Sequence, residues 1–255
     1  MNDSPPPAAH LGQGPPEDEE IERAKGYPYR IPDFSYVFTA SGETPLDGFL
    51  LKRGLDLSEL LSGRTAVAAC GSNASPEQLK RKCLNYGLSG EIPVIQAVLR
   101  DFDAVYSANF TSYGSLPATL APSEGVRVNL FVTFLDEAQL GAMNVSEAEG
   151  VNYDLVPLDA RLLTLEAGRA SGGVRAHRSR HEGMRIGGGC VALSEIAAEG
   201  RKFPEMTQAQ VQECVRDLLD KKKPLDDFIR ENIRDPDIRK DRNRRLKESA
   251  AISFA

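Results

Sequence analysis

A short apolar run over residues 66–70 meets the corner Gly71-Ser72-Asn73, and Ser75-Pro76-Glu77 follows at once. This order predicts a strand that turns directly into a helix. Ser75 is a capping residue, Pro76 fits the first helical position, and Glu77 suits the positive end of the helix dipole. A joint of this kind, built from small residues, aims several backbone N–H groups one way and so makes an anion or oxyanion site. Such a site lacks a proton carrier. Far downstream, Glu149 offers one.

Composition narrows the function classes. The chain has 255 residues, 41% of them hydrophobic, which supports one sizeable core. Its formal net charge is −6, which argues against a general nucleic-acid binder, since phosphate neutralisation needs clustered Lys and Arg. No apolar run approaches the roughly 20 residues that span a bilayer. The N-terminal residues lack the basic and apolar regions of a signal peptide. The four cysteines, Cys70, Cys83, Cys190 and Cys214, match no zinc spacing and lie in or beside apolar stretches. They read as reduced, mostly buried thiols of a cytoplasmic protein.

Four regions are expected. Residues 1–25, rich in Pro, Gly and acids, read as a flexible arm. Residues 26–64 read as an extended Tyr27-Pro28-Tyr29-Arg30-Ile31-Pro32 strap, an edge strand over 36–38 and a short helix over 55–61. Residues 65–220 form the main domain. Residues 221–255 read as a charged tail, helical or disordered; its acids and bases interleave, which favours a solvated surface over a nucleic-acid interface.

Within the main domain, strands are expected over 65–70, 94–99, 102–108, 116–121 and 126–135. In the last of these, Val128, Leu130, Val132 and Phe134 alternate with polar neighbours. Two more are expected over 153–156 and 161–166. Helices are expected over 76–83, from Asp136 to near Gly150, over 190–199 before Gly200, and over 207–219. Gly172-Gly173 and Gly187-Gly188-Gly189 read as flexible turns. Many short strands with few long helices predict an α+β domain, a small mixed or closed, barrel-like sheet with flanking helices.

At this point the chain resembles a known family. Gly71-Ser72-Asn73 after a strand is similar to the aromatic-Gly-Ser-Asn loop of the γ-glutamylcyclotransferase-like family, which includes the γ-glutamylamine cyclotransferases. Glu147-Ala148-Glu149-Gly150-Val151-Asn152-Tyr153 resembles the family's acid-x-Glu-Gly segment with a tyrosine after it, and Gly114-Ser115-Leu116-Pro117-Ala118-Thr119-Leu120 resembles the segment before its central strand. The resemblance spans roughly residues 65–167. It has two departures. Cys70 stands where an aromatic is usual, and Asn129 where a Gly is usual.

The resemblance implies cofactor-free ring closure of a small-molecule γ-glutamyl amide. The substrate's α-amine attacks its own γ-carbonyl, releasing 5-oxoproline and a free amine, and the intramolecular geometry removes much of the entropic cost. The resemblance assigns Glu149 as general acid/base, Cys70, Gly71, Ser72 and Asn73 as the substrate loop, and Tyr153 as a substrate contact. One carboxyl group serves both proton steps if burial raises its pKa. No metal, nucleotide, nucleic acid or membrane partner is implied, and oligomeric state stays open.

Competing readings come from the same residues. A non-catalytic small-ligand binder on this fold would explain the Cys70 and Asn129 departures. A Cys70-dependent amidase or acyl transferase would use a thiol activated by the adjacent helix N-terminus. Ser72 lacks the G-x-S-x-G elbow of a hydrolase. His177 and His181, in a polar stretch expected to be a loop, could share a helix face and bind a metal, but the arginines around them argue against it; a solvated loop is the favoured reading, with anion binding by the arginines as an alternative.

Overall fold

The computed structural model describes residues 17–166, 168 and 173–252. The chain starts with helix α1 (Glu17–Lys25), followed by the hairpin β1 (Tyr36–Thr39) and β2 (Gly42–Pro45) and the helices α2 (Leu46–Arg53) and α3 (Leu57–Leu61). Strand β3 (Thr65–Ala69) then feeds a single 3-10 turn (Ser72–Ala74) and helix α4 (Pro76–Tyr86). That is the strand–corner–helix joint the sequence predicts.

The largest element is a hairpin of β4 (Ile92–Tyr106) and β5 (Ala118–Leu135). Each fuses two strands that the sequence reads as separate. The apparent break in β4 is a bulge: pairing shifts between Arg100 and Phe102, and Asp101 sits at φ 63° with its carboxylate accepting the Gly125 N–H at 2.8 Å. A bulge bends and twists a strand without ending it.

Helix α5 (Glu137–Ser146) and strands β6 (Tyr153–Leu158), β7 (Leu163–Leu165) and β8 (Val174–Ser179) come next. The short strands β9 (Arg185–Ile186), β10 (Gly189–Cys190), β11 (Ala192–Leu193), β12 (Ala198–Glu199) and β13 (Glu205–Met206) precede helices α6 (Gln208–Asp220), α7 (Leu225–Arg234) and α8 (Pro236–Ile252).

Two expectations fail here. Residues 190–199 are not a helix, because Cys190, Val191, Ala192 and Leu193 are all buried, a pattern suited to a strand inside a sheet. Ala192 pairs with Val105 of β4, and Gly200 closes a turn rather than a helix. Residues 174–179 are a strand, not a loop, because β8 lies parallel to β3 and antiparallel to β6. His177 and His181 therefore share no helix face. Of the flexible turns, Gly187 and Gly188 do take positive φ between β9 and β10, while Gly172 lies outside the described residues.

The sheet is mixed, as expected for an α+β domain, but large and open rather than small and closed. It is 11-stranded, its main path runs β13-β11-β4-β5-β3-β8-β6, and among the described residues no ladder joins the two ends. Alternation along the strands gives it two apolar faces. Ala66, Ala68, Val128, Leu130, Val132 and Phe134 face the larger core, and Val67, Ala69, Phe131 and Leu135 face a second core covered by Leu79 of α4 and Met143 of α5. Full burial of a side chain such as Leu79 stabilises by about 1.5–3 kcal/mol.

The terminal segments also depart from expectation. Residues 17–25, placed by composition in a flexible arm, are helical, and Ile21 and Ala24 are buried against Ile229 of α7. The rest of the arm, residues 1–16, lies outside the described residues. The charged stretch after residue 220 is folded back: Phe228 and Leu246 are in the main core, and Arg242 lies 3.8 Å from the Phe228 ring centroid. Gly114 permits this docking. It takes φ +82°, and a Cβ there would fall 3.0 Å from Ile233 and 3.3 Å from Ala24.

Candidate active site

Helix α5 decides which acid reaches the interior. Asp136 caps it, accepting the Gln139 N–H at 2.8 Å while the Gln139 side chain accepts the Asp136 N–H at 3.1 Å. From that start, Leu140, Met143 and Glu147 fall on one face at i, i+3 and i+7. The helix then closes with Ala148 in the left-handed region at φ 49°, the Ala148 N–H bonded to the Val145 carbonyl and the Glu149 N–H to the Asn144 carbonyl. This is a Schellman closure. It leaves Glu147 on the buried face and turns Glu149 out to solvent.

Glu147 lines a cavity of about 630 Å³; Glu149 does not. The resemblance-based assignment of Glu149 as acid/base therefore lacks the geometry it needs, because the helix ends at Ser146, four residues before the Gly150 that sets the motif register. The other residues that the resemblance singles out behave differently. Cys70, Gly71, Ser72, Asn73 and Tyr153 all line this cavity.

Gly71 is required by close approach. A Cβ there would fall on the Tyr27 hydroxyl and 2.8 Å from the Ala118 Cβ. Tyr27 comes from the strap before β1, and its hydroxyl accepts the Ala118 N–H at 2.8 Å. Tyr153 donates to the Ala118 carbonyl at 3.3 Å. The two rings thus bracket one residue at the start of β5. Burial pushes both phenols above their ordinary pKa, so they act as neutral hydrogen-bonding groups.

The two motif regions meet through a side-chain bond. Asn73 Nδ2 donates to Glu147 Oε1 at 3.0 Å. The same carboxylate forms an ion pair with Lys82 of α4, and both side chains are largely buried, 4% exposed for Lys82 and 15% for Glu147. Burial alone would push the Glu147 carboxyl up; the Lys82 charge, the charge that His177 gains only at acid pH, and the Lys82 and Asn73 hydrogen bonds outweigh it and hold it below the usual carboxylate range.

His177 reaches the cavity from β8. Its Nε2 donates to Asn144 Oδ1 at 3.0 Å, which leaves Nδ1 as an acceptor, buried and without a partner. Burial lowers its pKa, so the ring is neutral at pH 7. Asn73 Oδ1 is likewise buried and unpaired. Two orphaned acceptors beside a carboxylate suit a ligand that donates hydrogen bonds, such as an ammonium group.

Cys70 is 9% exposed, and burial pushes its thiol up to about 12. A thiol so placed is protonated at neutral pH and a poor nucleophile, which removes the physical basis for the thiol-dependent reading. Among the described residues no group of three His, Cys, Asp or Glu could hold a metal, and no helix is long and apolar enough to cross a membrane.

Sequence reading missed Glu147, Lys82 and Tyr27. For the first two a signal existed, since Glu147 is four residues after Met143 and Lys82 three after Leu79, both on apolar helical faces. Tyr27 had none, because a strap carries no periodicity. Arg23 of α1 and Arg239 and Asn243 of α8, also on the cavity wall, were assigned to arm and tail.

Comparison with known proteins adds little beyond this geometry. No family profile and no curated protein matches the chain. Solved structures similar to it include an uncharacterized human protein (TM-score 0.38, 19% identity, covering 48% of this chain and 70% of that one). They also include a γ-glutamyl cyclotransferase (TM-score 0.37, 17% identity, 46% and 69%). A third is an Arabidopsis thaliana protein solved in solution (TM-score 0.35, 19% identity, 46% and 70%).

Proposed function

We propose that this chain is a cofactor-free cyclotransferase acting on a γ-glutamyl amide, with Glu147 in place of Glu149 as the general acid/base. The observation that carries the reading is the 3.0 Å bond from Asn73 to Glu147. It ties the Gly-Ser-Asn loop to the acid-bearing helix end inside one cavity, which is the arrangement that the chemistry requires.

In this reading the ionised Glu147 takes a proton from the substrate's α-ammonium group. The freed amine attacks the γ-carbonyl, forming the ring C–N bond. The tetrahedral oxyanion collapses, the bond to the leaving nitrogen breaks, and Glu147 returns its proton to that nitrogen; the second proton, shed by the ring nitrogen as it becomes an amide, passes by the same carboxylate to the freed amine, which leaves as an ammonium. The low pKa of Glu147 makes it available as a carboxylate at neutral pH and a strong donor once protonated. Backbone N–H groups of residues 71–73 face the carboxylate or oxyanion, and Asn73 Oδ1 and His177 Nδ1 accept from the ammonium group.

A second reading, a ligand-binding protein without turnover, is favoured by the Lys82 ion pair, which weakens Glu147 as a base. One experiment separates them. Wild type, Glu147→Gln and Glu149→Gln are incubated with a panel of γ-glutamyl amines and dipeptides, and 5-oxoproline is measured by mass spectrometry. The cyclotransferase reading expects product from wild type and Glu149→Gln, and about 10²–10⁴-fold less from Glu147→Gln. Binding of panel members without any product from wild type would leave the binding reading in its place.

A further inference from the structure

Two tyrosines hold Ala118 at the start of β5, and they hold it in opposite senses. Tyr153 donates its hydroxyl hydrogen to the Ala118 carbonyl at 3.3 Å. Tyr27 instead accepts the Ala118 N–H, at 2.8 Å. Among the described residues nothing accepts the Tyr27 hydroxyl hydrogen. Tyr27 is 4% exposed, and it lines the cavity together with Gly71, Ser72, Asn73 and Glu147. A phenol both accepts and donates, and a buried one with no protein acceptor has only the cavity to donate into.

Its surroundings make this hydroxyl a strong and well-placed donor. The backbone N–H groups of Ala118 and Ser72 both draw charge onto the Tyr27 oxygen. Hydrogen bonds in a chain polarise one another, so accepting them strengthens the bond that the hydroxyl can give. Burial outweighs them and keeps the phenol neutral, with its proton in place. Gly71 carries no Cβ to hold the hydroxyl off the loop, and the Tyr29 ring meets the Tyr27 ring edge-on, 5.9 Å between centroids. The loop itself carries Cys70 where the resemblance leads to an aromatic. Here an aromatic reaches that loop from outside it, on the strap between α1 and β1.

Resting on the cyclotransferase reading of this cavity, we propose that Tyr27 donates a hydrogen bond to the oxygen that becomes negative when the γ-carbonyl is attacked. The strap thereby completes the oxyanion site, and Tyr27 relays the pull of the Ser72 and Ala118 N–H groups to that oxygen. No proton changes hands at Tyr27. The bond tightens as charge builds on the oxygen and relaxes as the intermediate collapses, so all proton transfer stays with Glu147. A contact that strengthens only in the transition state acts on kcat rather than on substrate affinity.

Tyr27→Phe keeps the ring and deletes the hydroxyl. It also leaves the Ala118 N–H unpaired, so kcat and KM are measured per folded molecule, with the folded fraction read from urea unfolding. The substrates are the γ-glutamyl amides that wild type converts to 5-oxoproline. The proposal expects kcat to fall about 10²–10³-fold, the size of one oxyanion donor, with KM changed by less than about threefold. Full-length protein carrying mono- or difluorinated tyrosine at position 27 keeps the ring and the hydroxyl while making the phenol more acidic. Its kcat should rise with that acidity, and this series decides the matter if Tyr27→Phe does not fold. A folded Tyr27→Phe protein with wild-type kcat overturns the proposal. So does a loss confined to the folded fraction or to KM, or a fluorinated series with constant kcat. Each of those results leaves the cyclotransferase reading standing. Absence of 5-oxoproline from wild type with every amide overturns that reading, and the donor role with it.

Discussion

Glu147 and Glu149 stand two residues apart and face opposite ways. Glu147 bonds to Asn73 and Lys82 inside the cavity, and Glu149 is exposed beyond the helix end. The residue between them, Ala148, makes the difference by taking a left-handed conformation.

That conformation carries a cost for a residue with a Cβ. Replacing Ala148 with Gly removes it at the expense of some chain entropy. Ala148→Gly is expected to stabilise the fold by about 0.5–1 kcal/mol, a rise in Tm of about 1–3 °C, read by calorimetry. An unchanged or lower Tm would count against the Schellman closure.

Lys82 sets the charge state of Glu147. The folded pKa of Glu147 lies below its unfolded value, so its contribution to stability is fully present above the unfolded pKa, about 4.3. It is lost as pH falls through the lower folded value. Lys82→Met removes the cation and lets burial dominate. The acid limb of kcat/KM should move to higher pH, and stability at pH 7 should fall by about 3–5 kcal/mol. An acid limb that stays in place would show that Glu147 is not the titrating base.

Gly71 has no room for a side chain, because the Tyr27 hydroxyl and the Ala118 Cβ occupy it. Gly71→Ala is expected to cost about 1–3 kcal/mol, measured by urea unfolding. It should also lower turnover by displacing Tyr27 or the loop. A variant with wild-type stability would mean that the approach is looser than it stands here.

Asn243 pins α8 to the cavity rim: Phe110 N–H donates to its Oδ1 at 2.7 Å, and its Nδ2 donates to the Phe110 carbonyl at 3.2 Å. Asn243→Ala leaves both Phe110 groups unpaired, at about 1–3 kcal/mol. Hydrogen exchange should speed up in α8 and around Phe110 while β4 and β5 stay protected. Uniform exchange across the chain would argue against a separable α8 wall.

Cys70 is buried with its thiol pushed up to about 12. Excess iodoacetamide at neutral pH should leave Cys70 unmodified in the folded protein, as read by peptide mass mapping, and leave turnover intact. Rapid alkylation of Cys70 with loss of turnover would restore the thiol reading.

Local order was legible in the residues themselves. The apolar run, the small-residue corner and Pro76-Glu77 determine β3, its turn and α4, because strand period, turn chemistry and a proline at the first helical position act within a few residues; Ser75 stands at the N-cap, but its side chain makes no capping bond. The alternation from Val128 to Phe134 determines the two-faced central strand in the same way. Residues 70–73, with Tyr153, accordingly lie together on the cavity wall.

What the sequence left open depends on contacts between distant residues. Gly150 marks a helix stop, yet the helix stops earlier, at Ser146, with Ala148 closing it, because the register is set by Asp136 and by Met143 packing under β5. Residues 17–25 and 221–252 have the composition of an arm and a tail. They order because Ala24, Phe228 and Leu246 find apolar surface on the sheet and around Gly114, surface that no local pattern reveals. Those same contacts bring Arg23 and Arg239 onto the wall of a cavity whose other side is Glu147. Burial and long-range packing, not local propensity, decided which charges meet there.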